Sequence, residues 1–361
     1  MATGKTSPNP LELVEVGFVV AQGCHAPIWI PTMNPQPGQG RTTGMVVTKI
    51  WSYRRAFAED LARRFPGMQV VADLEDMVGT VDGVYIDAAP AVSLYHLLAR
   101  PFLQAGIPTF VNRPFCTSVE KGRLMVEMAR QSGAPLMSNS TWEFTESVGE
   151  LQEKIGRLPE ILGYTAHNTM SDYYTHGLHG VWYLAAALRA ERQKGRGRCL
   201  AASYLTPDWR TPPGAVSFVH ENTGGKRFYG QLHLQAGMDG LAYMRVLGSA
   251  RSGDVQSRIS AHPGWFRHSL WNTMQLVVQE MIQTCRAPES GEDILEKVGM
   301  FLMGFRSALE REGGPVTREE LEGWEAPPIS LALKKGDQPT DPTFADPYSP
   351  EELRDLESYL S

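Results

Sequence analysis

Through about residue 140 the chain alternates between short apolar runs and amphipathic ones, and this alternation restricts the fold more than any other feature. Leu13–Val20, Met45–Trp51, Met68–Val71, Gly83–Ala89, Pro108–Val111 and Pro135–Ser140 read as strands. The runs between them read as helices: Ala26–Met33 (interrupted by Pro31), Ala56–Phe65, Leu74–Gly79, Val92–Ala105 (kinked at Pro101) and Val119–Ser132. Gly106 and Gly133 stand where a helix ends in a left-handed residue. Parallel strands need a crossover between them, and these helices supply it. The pattern predicts a doubly wound α/β unit with a parallel sheet.

Beyond residue 145 the pattern changes. After a helix at Glu146–Ile155 come a strand at Ile161–Asn168 and an aromatic, alanine-rich helix at Tyr173–Leu188. Cys199–Tyr204, Ala215–Glu221, Lys226–Gln235 and Leu241–Leu247 then read as consecutive strands joined by turns, which predicts a large, mainly antiparallel sheet. Helices are expected at Trp271–Thr284, Asp293–Arg311 and Pro350–Leu360, the last capped by Ser349. A length of 361 residues exceeds one ordinary core. The expected division is 1–144, a Rossmann-type domain; 145–330, an α/β domain with an open sheet; and 331–361, an arm ending in a short helix.

A net charge of −6 carries no basic excess, so no nucleic acid and no anionic membrane is expected as a partner. No run approaches 18 apolar residues, the length of a membrane span. Cys24, Cys116, Cys199 and Cys285 are far apart and form no CxxC, as in a reduced, cytoplasmic protein. The opening MATGKTSPNPLE lacks the apolar core of a signal peptide.

The segment Val84–Phe144 is the most specific. A strand VYIDAAP is followed by a helix and then by AGIPTFVNRPFCTSVEKGRLMVEMARQSGAPLMSNSTWEF. It resembles the Gfo/Idh/MocA oxidoreductases, with Ala105, Gly106, Pro114, Thr117, Ser118, Ala129 and Gly133 on the family's positions. Downstream, THGLHGVWYL resembles the family's D-x-G-x-H-x-x-D helix, with Gly177 and His179 in register. The resemblance implies a Rossmann domain, a second domain whose sheet supports a homo-oligomer, NAD or NADP as cofactor, and a carbohydrate-like small-molecule substrate.

Two departures bear on function. The glycines of a G-x-G-x-x-G turn are replaced by Val20, Gln22 and His25, and only the intervening Gly23 remains. The loop is either rebuilt around Gly23 and His25 or no longer binds a nucleotide. The family's Glu-Lys-Pro is here Asn112-Arg113-Pro114. An arginine holds its proton at any working pH, so Arg113 can polarise or clamp an oxygen but cannot serve as a base. The proton work then falls to His179, with His176 one turn away and Asp172 behind it. His176 and His179 alone are too weak a signal for a metal site, and none is expected. Ser52 and Arg54 after the second strand, Ala89 and Pro90 after the central one, and Asn112 and Pro114 complete the expected cofactor contacts. Arg54 and Arg55 lean towards NADP. The leading expectation is an NAD(P)-dependent oxidoreductase of a sugar, cyclitol or sugar acid. The alternatives are a cofactor-recycling lyase or glycosidase on the same scaffold, and a binding pseudoenzyme.

Overall fold

The computed structural model describes residues 13–22, 25–169, 172–189, 197–211, 213–222, 225–235, 241–248, 254–260, 263–327 and 348–361. Strands β1 (Val14–Val20), β2 (Met45–Trp51), β3 (Gln69–Val70), β4 (Gly83–Asp87), β5 (Thr109–Val111) and β6 (Leu136–Met137) form one sheet in the order β3-β2-β1-β4-β5-β6. All its pairings are parallel. β4 and β5 are buried along their whole length, as expected of strands with both faces covered. The order reverses between β1 and β4, which makes the carboxyl ends of those two strands the ligand crevice of such a sheet.

The crossovers are α1 (Ala26–Met33), α2 (Arg55–Arg64), the short pair α3 (Tyr95–Leu98) and α4 (Arg100–Gln104), and α5 (Val119–Ser132). The single helix expected over 92–105 is instead a 3-10 turn, Ala89–Leu94, followed by α3 and α4. Pro101 lacks an N–H and suits a first turn, so the chain restarts a helix there rather than bending one.

The second sheet has seven strands. These are β7 (Ile161–Thr169), β8 (Arg198–Leu205), β9 (Gly214–Glu221), β10 (Arg227–Gln235), β11 (Leu241–Gly248), β12 (Asp254–Ser260) and β13 (Val316–Thr317), in the order β12-β11-β7-β10-β9-β8-β13. Only the β7–β10 pair is parallel. β12 was not expected: DVQSRIS alternates weakly, and its pairing with β11 makes it a strand. Burial alternates cleanly in β10, with Phe228, Leu232 and Leu234 inside and Tyr229 and Gln231 outside.

Helices α6 (Glu146–Gly156), α7 (Leu178–Ala187) and α9 (Gly291–Glu310) lie within the core that this sheet's inner face shares with one face of the first sheet. Helix α8 (Pro263–Thr284) starts earlier than its expected onset at Trp271. Its Met274, Val278, Met281 and Ile282 pack instead on the opposite face of the first sheet, with Val16, Phe18, Tyr85 and Phe110. The carboxyl-terminal helix α10 (Pro350–Leu360) begins at the expected cap, Ser349, which forms a capping box with Glu352. The arm before it, 328–347, lies outside the described residues.

Gly230 makes the second sheet's packing testable. A Cβ there would sit 1.9 Å from the Tyr164 ring, whose hydroxyl is 2.8 Å from His220 Nε2 in the core. Gly230→Ala is expected to displace that ring and strain its hydrogen bond, lowering stability by about 3 kcal/mol. A urea titration reads the loss, and an unchanged midpoint would contradict this packing.

Candidate functional site

The site lies where β4 and β5 end and helix α7 begins. β4 finishes on Asp87, fully buried, whose Oδ2 accepts the His25 N–H at the start of α1 (2.7 Å). Its Oδ1 accepts from Asn112 Nδ2 (2.7 Å), the residue just past β5. The Asn112 amide is oriented by its own Oδ1, which accepts the Arg113 backbone N–H at 2.9 Å. These bonds tie three loops together before any ligand is considered.

Arg113 is buried and reaches two imidazoles. Its Nε–H donates to His179 Nε2 at 3.0 Å. Its Nη2 lies 3.3 Å from His25 Nε2. Because a guanidinium only donates, His179 Nε2 is assigned as the acceptor, which leaves this histidine neutral with its proton on Nδ1. For His179 that proton points at Ser140 Oγ, 2.6 Å away. His25 Nδ1 lies 3.2 Å from Asn112 Nδ2 and 3.5 Å from Asp87 Oδ1. Burial, then the charge of Arg113, holds the His179 pKa well below the usual histidine value, with lesser contributions from His176 and His25. The two rings are also packed: His179 stacks with Trp142 (centroids 6.1 Å) and His25 with Trp29 (5.0 Å).

His176 and Asp172 stand at the edge of this group. Tyr173–Gly177 forms one wide π-helical turn ahead of α7, closed by the Gly177 N–H to the Asp172 carbonyl (2.7 Å), where one continuous α-helix was expected. The turn leaves His176 Nδ1 3.6 Å from Asp172 Oδ2 and its ring centroid 6.2 Å from that of His179.

Below the site lies a buried ion cluster. Glu143 accepts from Ser140 N–H (2.7 Å), Asn139 Nδ2 (3.1 Å) and Lys297 Nζ (3.0 Å). Lys297 also meets Glu289 Oε2 at 2.7 Å, and Arg189 lies 3.4 Å from the same oxygen. Burial pushes the Glu143 pKa up, against the pull of Lys297 and with the Glu289 charge adding to the rise. Glu143 therefore forms a buried salt bridge with Lys297 of α9. Glu143 fixes the Ser140 backbone, and Ser140 faces His179, so the cluster positions the histidine from behind.

The sequence-derived residues sort as follows. Arg113, His179, His25 and Asn112 come together, with His176 and Asp172 alongside. Ala89 and Pro90 are buried in the turn directly after β4, and Pro114 follows Arg113 in the same loop. Gly23 lies outside the described residues. Ser52 and Arg54 sit at the end of β2, away from this group: the Ser52 hydroxyl is buried without a hydrogen-bond partner, and Arg54 is bound to Glu352 of α10. Asp87, Ser140 and Lys297 were missed. The only signal for Asp87 is an acid closing an otherwise apolar strand; Ser140 and Lys297 carry none.

Comparisons with known proteins agree with this architecture. Residues 25–140 match the family model Gfo/Idh/MocA, "Oxidoreductase family, NAD-binding Rossmann fold". No curated protein matches by sequence. Among solved structures, myo-inositol dehydrogenase from Lactobacillus casei, solved with NAD(H) and myo-inositol, has a TM-score of 0.68 at 14% identity over 84% of this chain and 96% of its own. GenD2 of gentamicin A biosynthesis, solved with NAD, has a TM-score of 0.63 at 18% identity over 88% and 99%. A probable dehydrogenase from Thermotoga maritima has 0.64 at 13% over 85% and 100%. At such identities the likeness is one of fold. Residues 25–140 thus match the model of the Gfo/Idh/MocA oxidoreductases, and the chain has the two-domain fold of these solved dehydrogenases.

Proposed function

We propose that this protein is a nicotinamide-dinucleotide-dependent oxidoreductase acting on a secondary hydroxyl, or the matching ketone, of a cyclitol, sugar or sugar acid. The observation that carries the reading is the Arg113–His179 contact, a permanent cation donating to a neutral imidazole at the mouth of the first sheet. A substrate hydroxyl competes with the Arg113 N–H for the lone pair on His179 Nε2. His179 takes the hydroxyl proton there. Arg113 turns its donors to the oxygen as negative charge grows on it. Ser140 keeps the ring in the required tautomer by accepting from Nδ1, and Asp172 holds His176 beside it. The matched family and the substrates named for the solved relatives support the substrate class.

The residues present fit a dinucleotide. The buried, unpartnered Ser52 Oγ after β2 suits a ribose hydroxyl. Ala89 and Pro90 after β4 are small residues against which a flat ring can lie, and α1 starts beside β4's end, joined to it by the His25–Asp87 bond. A nicotinamide group bound there supplies the acceptor or donor of hydride. The seven-stranded sheet, with Leu162, Tyr229 and Leu247 exposed, is the proposed oligomerisation surface.

One observation favours a second reading, a binding protein without turnover: the Asp87 carboxylate already occupies the His25 N–H at the amino end of α1, where a phosphate would bind. The deciding measurement combines thermal shift with NAD and NADP and nicotinamide absorbance against a panel of inositols, sugars and sugar acids. Net turnover with one of them is expected. A bound nicotinamide without net turnover points to the recycling chemistry. No shift with either nucleotide and none co-purified favours the binding protein.

A further inference from the structure

A Rossmann fold that takes NAD places an acid near the end of its second strand for the ribose hydroxyls, whereas an arginine there accommodates the 2′-phosphate of NADP. After β2 this chain reads Ser52-Tyr53-Arg54-Arg55, with no acid. The next one, Glu59, is engaged by Arg55 at 2.9 Å. The fold brings a carboxylate to this place from the far end of the chain. Arg54 Nε donates to Glu352 Oε1 (2.8 Å) and Nη2 to Oε2 (2.9 Å), a two-pronged pairing. Helix α10 is seated on the same segment by one aromatic residue in it and one just before it. Tyr359 stacks with Trp51 (6.2 Å), Tyr348 meets Tyr53 edge-on (5.8 Å), and the Arg54 guanidinium lies 4.7 Å over the Tyr348 ring. Arg100 of α4 holds the Leu360 carbonyl at the helix's other end. Both members of the ion pair keep about a quarter to a third of their side chains exposed, so a ligand can reach them (Arg54 24%, Glu352 31%).

Resting on the oxidoreductase reading above, we propose that Glu352 is a specificity residue of the dinucleotide site. It supplies the carboxylate absent after β2, and by holding Arg54 it makes the site select NAD over NADP. A 2′-phosphate would have to break two charge-assisted hydrogen bonds and then lie against a carboxylate. A ribose hydroxyl donates to that carboxylate and leaves the pair intact. The two arginines that lean towards NADP in the sequence are thus both engaged by acids, Arg54 by Glu352 and Arg55 by Glu59.

The test is a titration of the full chain with NAD and with NADP, read by quenching of tryptophan fluorescence. It compares wild type, Glu352→Gln and Glu352→Gln/Arg54→Ala, each checked by circular dichroism. The isosteric Glu352→Gln keeps the helix contacts. Wild type is expected to bind NAD at least tenfold more tightly than NADP. Glu352→Gln should move that ratio towards NADP by tenfold or more, and the added Arg54→Ala should abolish the gain. A wild type that binds NADP as tightly as NAD, or a Glu352→Gln ratio within twofold of wild type, overturns the proposal while leaving the oxidoreductase reading standing. Wild type that binds neither nucleotide overturns both.

Discussion

His179→Ala is expected to lower kcat by about 10²–10⁴-fold, with little loss of folded protein. The variant removes the only one of the two imidazoles on Arg113 that also contacts Ser140, and so the group proposed to exchange the substrate proton. Arg113 remains, and its charge cannot take a proton, so polarisation alone would carry the residual rate. The pH dependence gives a second readout. Burial and Arg113 lower the His179 pKa, so in the free enzyme the base form persists as pH falls below the ordinary histidine value near 6.5. The acid limb of kcat/KM for alcohol oxidation is therefore expected below about pH 6.5, and it should vanish from the residual activity of His179→Ala. The same shift has a stability sign. Below about pH 6.5 the unfolded chain binds a proton at this position that the native one does not, so folding is progressively penalised until the native pKa is reached. A loss in kcat of less than tenfold, with the acid limb unmoved, would remove His179 from the proton transfer.

The largest expected loss of stability comes from Lys297→Met, about 3–5 kcal/mol by denaturant titration. Lys297 Nζ lies between Glu143 and Glu289, all three side chains almost wholly buried. Methionine fills similar volume but leaves the two carboxylates facing one another, with Arg189 as the cation beside them. One of them would have to take up a proton, so the deficit should shrink as pH falls through the carboxylate range. That pH dependence separates a charge effect from a packing one. Since Glu143 anchors Ser140, the variant should also lose activity at temperatures where it remains folded. A loss under about 1 kcal/mol would mean the cluster is not coupled as its geometry implies.

Much of the fold was legible because its signals are local. Alternation between strand and helix periods, the glycines at positive φ after helices, and the capping serine Ser349 each act within a few residues. Where the sequence misled, a neighbour outweighed a weak local preference. β12 is a strand because β11 pairs with it, and α8 is long because it returns to cover the first sheet.

The candidate site divides the same way. By itself the sequence determined that Arg113 cannot be a base and that His179 must be considered, since both follow from residue chemistry at motif positions. It could not show that Arg113 Nε meets His179 Nε2, residues 66 apart in the chain, or that Asp87 and Ser140 orient the two histidines. Nor could it show that Arg54 is matched by Glu352, 298 residues away. Hydrogen bonds and ion pairs act over about 3 Å and depend on angle, while sequence patterns report only which face of an element is apolar. Which polar side chains meet is decided when the elements pack, and in this protein that step converts a run of arginines after β2 into an acidic contact.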